Sequence, residues 1–96
     1  MYVQLLNMKI TYDPAKNAAN IEKHGLSFDD VVHLDWNNAY TFVDDRHDYG
    51  ETRISAYLPL NGRLYFVGYT ERPEGRRIIT FRKANIREVK AYAENH

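Results

Sequence analysis

The sequence predicts an α+β domain: an antiparallel sheet of about four strands, packed with two N-terminal helices and a C-terminal helix. Three observations carry this. Capped segments of helical periodicity lie at the two ends of the chain. From residue 52 onward the pattern switches to an alternation of period two. The strands there follow one another through a two-residue turn and a short loop, without a helical crossover, so they pair antiparallel. At 96 residues the chain makes a single domain, 1–96, with one modest core.

Residues 3–13, VQLLNMKITYD, are apolar and β-prone and read as a first strand. A helix follows over DPAKNAANIEKHG. Asp13 is its N-cap, Pro14 takes the first helical position, Gly25 follows the C-terminus and Leu26 adds an apolar contact behind it. At about 100° per residue, Ala15, Ala18, Ala19 and Ile21 share the side expected to pack closely. Lys16, Asn17, Asn20, Lys23 and His24 share a polar arc of about 120° opposite. SFDDVVHL begins a second helix, with Ser27 and Asp30 resembling a capping box and Phe28, Val31 and Val32 as its apolar face. A strand near 39–43 and a polar loop, DDRHDYGE (44–51), lead into the hairpin TRISAYLPL-NG-RLYFVGYT, whose turn is Asn61-Gly62. After the loop ERPEG, RRIITFRKA reads as another strand. NIREVKAYAEN is the closing helix, with Asn85 as N-cap, Glu88 as its capping-box partner, and Ile86, Val89, Tyr92 and Ala93 as the expected buried face.

Composition narrows the function. There is no cysteine, which excludes disulfide scaffolds, thiolate zinc sites and cysteine nucleophiles. The first residues lack the pattern of a signal peptide, and no run of 18 apolar residues exists, so the expectation is a cytoplasmic chain with no membrane contact. Net charge is zero but unevenly spread. Residues 1–60 hold five Lys/Arg and nine Asp/Glu, while residues 61–96 hold eight and four. A basic C-terminal half suits an anionic partner such as RNA, or is an ordinary solvated surface. Eight tyrosines add side chains suited to half-wet binding faces.

Alternation in ETRISAY puts Glu51, Arg53, Ser55 and Tyr57 on one face and Ile54, Ala56 and Leu58 on the other, which is the core side. In RRIITFRKA, Ile78, Thr80 and Arg82 alternate with Arg77, Ile79 and Phe81, and neither set is clearly the buried one. This chemistry suits metal-independent cleavage of RNA. A carboxylate or imidazole can take the 2′-hydroxyl proton, arginines can hold the phosphate in two-pronged fashion, and tyrosines can stack bases. Cross-strand salt bridges on a wet sheet face are the ordinary alternative. In the 44–51 loop, Asp44, Asp45, His47 and Asp48 offer metal ligands without a recognised spacing. Glycine-rich phosphate loops and nucleophile elbows are missing, so neither a metal nor a cofactor is expected.

The stretches YDPAKNAANIEKHGLSFDDV, ETR and RRIITFRKA, followed by a helix with Glu88 and Tyr92, resemble the BrnT family of toxins in order and content across residues 8–92. Residues 1–7 lie outside the match and read as an N-terminal extension. The resemblance implies a RelE-like fold and a ribonuclease that arrests translation. It also implies a cognate BrnA antitoxin with a DNA-binding domain, forming a hetero-oligomer that contacts operator DNA only through the antitoxin. By position its motifs fall on Lys16, Lys23, His24, Glu51, Arg53, Arg77 and Arg82, and the reading that follows gives catalytic roles to His24, Glu51, Arg53, Arg77 and Arg82, with Glu51 or His24 as proton acceptor. Lys16, Lys23, Tyr57 and Lys83 would bind RNA. Thr80 stands where the family has serine, keeping the hydroxyl. Lys23 and His24 also suit the negative end of a helix dipole, and Gly25 the turn after it. From the residues alone, a non-catalytic module whose open sheet face binds a protein remains the alternative.

Overall fold

A computed structural model describes residues 8–46 and 50–95. The order is β1 (Ile10–Thr11), α1 (Pro14–His24), 3₁₀ turns at Phe28–His33 and Trp36–Asn38, β2 (Tyr40–Asp44), β3 (Arg53–Leu60), β4 (Arg63–Arg72), β5 (Gly75–Lys83) and α2 (Ile86–Glu94). The α+β class is as expected, but the sheet has five strands and is mixed. Its order is β1-β5-β4-β3-β2, with β1 parallel to β5 and every other pair antiparallel. Among the described residues no helix is long and apolar enough to cross a membrane.

The β3–β4 hairpin turns on Asn61 (φ 51°) and Gly62 (φ 78°), the left-handed pair that a two-residue turn requires. β1 is far shorter than the strand expected over residues 3–13, of which residues 3–7 lie outside the described ones. It approaches β5 closely at Gly75, where an added Cβ would sit 2.8 Å from the Lys9 carbonyl oxygen that accepts from Arg76 N–H.

The expected second helix is a 3₁₀ turn of six residues. Its buried residues Phe28 and Val31, and the buried Leu34 that follows, are spaced by three, which matches 3₁₀ geometry and not an α-helical stripe. These three pack on one sheet face with Ala56, Leu58, Val67, Tyr69, Ile78 and Phe81 to form the core. β5 places both Ile78 and Phe81 there because its register against β4 shifts between Gly68 and Tyr69. Thr80 pairs Gly68 while Ile78 pairs Tyr69, so Ile79 is an extra residue. Simple alternation would have split Ile78 from Phe81. The bulge instead sends Arg77, Thr80 and Arg82 together to the opposite face.

α1 presents the face opposite to the expected one, and of the expected face of α2 Tyr92 alone turns inward. In α1, Ala15, Ala18, Ala19 and Ile21 are exposed, and the buried residue is Asn20. Its amide donates to the carbonyl oxygens of Phe81 (2.8 Å) and Leu26 (2.9 Å), and its side-chain oxygen accepts from Phe81 N–H (3.3 Å). Asn17 accepts from Phe28 N–H. β1 covers only the start of the β5 edge, and an asparagine supplies the donor and acceptor that a neighbouring strand would offer further along. In α2, Ile86, Val89 and Ala93 face solvent, while Glu88 and Tyr92 turn toward the sheet.

Candidate functional site

The sheet face away from the core is the one that gathers chemistry. Register puts Tyr40, Phe42 and Asp44 of β2 beside Tyr57, Ser55 and Arg53 of β3, then Phe66, Gly68 and Thr70 of β4, and Arg82, Thr80 and Arg77 of β5. Aromatic rings run across it in a row. Tyr40 meets Phe42 at 5.8 Å between ring centroids, Phe42 stacks on Tyr57 at 6.0 Å, and Tyr57 meets Phe66 at 5.3 Å. The Arg82 guanidinium ends the row, 4.4 Å above the Phe66 ring.

Helix α2 lies over the end of this row, held by Glu88. The Glu88 carboxylate accepts from Arg82 Nη1 (2.8 Å) and Nη2 (3.0 Å), from the Tyr57 hydroxyl (2.6 Å) and from Asn85 N–H (2.8 Å). Asn85 completes the capping box by accepting from Glu88 N–H. One carboxylate thus caps the helix and binds it to two strands. The Arg82 fork above all holds the Glu88 carboxyl down to about 2, against burial, with Tyr57 and Asn85 N–H assisting. Burial, and then Glu88, pushes the Tyr57 hydroxyl up to about 12, so it stays a donor.

This hub makes an acid-sensitive fold. A carboxyl whose folded pKa lies below its ordinary 4.5 adds stability above that value and loses it as pH falls toward 2. Glu88→Gln should therefore cost about 2 kcal/mol at pH 7, with the gap to the parent closing between about pH 5 and pH 2. Urea unfolding of both proteins across that range checks it; a gap independent of pH would separate the stability from the ion pair.

The other expected site residues distribute as follows. Arg53, half-buried, pairs across strands with Asp44 on the same face as Arg82, and Arg77 shares that face. His24, half-buried at the end of α1, has its imidazole held below the ordinary value by burial first, then by the positive charges of Lys23 and Arg82. Burial and these charges favour its neutral form. Glu51 precedes β3 rather than lying on it, and is bound to Arg72 at 2.7 Å in a partly exposed ion pair. Lys16, Lys23 and Lys83 are exposed. In the 44–51 loop, His47 and Asp48 lie outside the described residues, and Asp44 pairs with Arg46 at 2.9 Å.

The sequence reading had missed Glu88, Phe66 and Phe42 as parts of this face. Phe66 and Phe42 could have been found by carrying the Tyr57 alternation across the hairpin and onto β2. Glu88 was visible as a cap and as part of the family resemblance, but not as part of this face, because the Ile86–Val89–Ala93 stripe argues for the other side of the helix. A family model described as "Ribonuclease toxin, BrnT, of type II toxin-antitoxin system" matches residues 12–88, a span that takes in α1, the whole sheet face and Glu88. No curated protein matches the chain.

Proposed function

From the premise that this chain belongs to the BrnT family of ribonuclease toxins of type II toxin–antitoxin systems, we propose that it cleaves RNA on the face of Arg82 without a metal. The observation that carries the reading is the Arg82 guanidinium over the Phe66 ring, on one sheet face with Tyr57, Arg53 and Arg77. A bound phosphodiester is gripped by Arg82, with Arg53 and Arg77 on the same face adding positive charge. The 2′-oxygen attacks phosphorus as its proton passes to His24. The P–O5′ bond breaks, and the leaving 5′-oxygen takes up a proton. The products are a 2′,3′-cyclic phosphate and a 5′-hydroxyl. His24 suits the acceptor role better than Glu51, whose carboxylate is engaged by Arg72. Half-buried Tyr57, with the exposed rings of Tyr40 and Phe42, offers stacking surface to a base, and Lys16, Lys23 and Lys83 offer charge to flanking phosphates.

A toxin of this class has a protein antitoxin as partner. We take that partner to be a BrnA-like protein whose DNA-binding domain carries the hetero-oligomer to operator DNA. Ile86 (67% exposed) and Val89 (38%) on α2, with Val43 (60%) on the edge strand β2, support a protein partner. The same residues would serve the alternative, a module that binds without cleaving.

Induction in bacteria should arrest growth, and the purified chain should cut single-stranded RNA equally with and without EDTA, leaving cyclic phosphate ends. Activity that EDTA removes and a divalent ion restores would overturn the metal-free chemistry. Folded protein with neither toxicity nor cleavage would favour the binding module.

A further inference from the structure

Resting on the ribonuclease reading, we propose that α2 is a built-in competitor of the substrate: the Glu88 carboxylate fills the phosphate position of Arg82, and single-stranded RNA binds by displacing the helix. The geometry is that of one anion standing in for another. Both terminal nitrogens of Arg82 are spent on the two Glu88 oxygens, the two-pronged grip that a guanidinium also makes on a phosphodiester. A phosphate cannot take that fork while Glu88 holds it.

What α2 covers fits a nucleic acid better than it fits α2. None of the described residues of the helix is buried, and it turns a carboxylate and a phenol toward the sheet while its aliphatic side chains face water. Between the helix and the sheet lies an open cleft of about 300 Å³, walled by Tyr40 and Tyr57 on the sheet side and by Glu88, Ala91, Tyr92 and Asn95 on the helix side. The helix therefore packs incompletely on Tyr40 and Tyr57, and lifting it frees both sheet rings for a nucleobase. The second polar tie is equally simple: the Tyr92 hydroxyl donates to the Asn38 carbonyl oxygen at 2.7 Å. Polar ties of this kind give a lid that a polyanion can lift, and lifting it brings a phosphate to Arg82 and a base to Tyr57 in one movement. The affinity seen for RNA is then the intrinsic affinity scaled by the fraction of molecules with α2 open.

The test uses a fluorescent 2′-O-methyl oligoribonucleotide, which cannot be cleaved, and reads binding by anisotropy. Glutamine keeps the capping acceptor at Asn85 N–H and removes the competing charge, so Glu88→Gln should bind about tenfold more tightly than the parent. Glu94→Gln, the same charge change at an exposed site on the helix, should shift binding less than twofold. Tyr92→Phe breaks the other tie without touching Arg82 and should tighten binding two- to threefold. In the parent, saturating oligonucleotide should speed amide hydrogen exchange across α2. Equal or weaker binding by both Glu88→Gln and Tyr92→Phe, or α2 amides that gain protection, would overturn the competitor. If the parent binds and the variants bind no better, the lid falls and the ribonuclease reading stands. If no form binds, both fall together.

Discussion

Replacing Arg82 by alanine should lower RNA cleavage by two to three decades. An arginine that stabilises charge developing on a phosphate contributes about 3 kcal/mol to the transition state, and each 1.4 kcal/mol is about tenfold in rate. The same change also removes the partner of Glu88, whose side chain is only 16% exposed, and opens the base of α2. Breaking one side of such a pair costs about 2–3 kcal/mol of stability. Activity and melting midpoint are therefore both needed. Arg82→Lys should recover part of the stability, since an ammonium still pairs with Glu88, and little of the rate, since it cannot reproduce the planar fork. Arg82→Ala with Glu88→Gln should be more stable than the sum of the two losses implies, because no uncompensated carboxylate remains, and should stay inactive. Full cleavage by a less stable Arg82→Ala protein would make Arg82 a structural residue only.

Asn20→Ala should have the largest effect on stability. It strands the N–H and C=O of Phe81 and the C=O of Leu26 in a setting where Asn20 itself is 7% exposed. A buried backbone group left without a partner costs about 1–3 kcal/mol, so the total is about 3–4 kcal/mol once some water enters. For a domain of this size that lowers the melting midpoint by roughly 15–25 °C. Asn20→Asp should be no better, because a carboxylate keeps the acceptor but faces two carbonyl oxygens with no donor. Ala18→Ser, on the exposed side of the same helix, should melt within a few degrees of the parent. A small change at position 20 would mean that α1 is held by something other than these bonds.

Local chemistry was the legible part of the fold. Asp13 and Asn85 cap their helices as their side chains dictate, Gly25 closes α1 by donating to Ile21, and Asn61-Gly62 makes the hairpin turn. Which way each helix faces was not legible. Sorting a helix by apolar residues assumes that burial of carbon decides. Here the need of the β5 edge for hydrogen-bond partners decides for α1, and the Glu88–Arg82–Tyr57 hub decides for α2. The bulge at Ile79 hid the site in a similar way, since one extra residue changes the parity that alternation depends on. Of the expected site residues, Arg53, Tyr57, Arg77 and Arg82 share a face because they lie on paired strands. Glu51 falls outside it because β3 begins two residues later, at Arg53.

The strand order also sets a sequence in time. β3, β4 and β5 form a meander of contacts close in the chain, whereas Asn20 and Phe81 are 61 residues apart. Closing a loop of that length costs roughly 3–4 kcal/mol of chain entropy, which is recovered only when β5 is already in place to receive the asparagine. The meander is thus expected to form the folding nucleus, with α1 docking after the rate-limiting step. Asn20→Ala should for that reason steepen its toll on the unfolding arm of a chevron plot and leave the folding arm almost untouched. Departure of α1 would bare the outer edge of β5 from Ile78 to Lys83. An uncovered strand with Ile78, Ile79 and Phe81 is a template for a second chain. Asn20→Ala should therefore also promote edge-to-edge assembly of concentrated protein, read by light scattering.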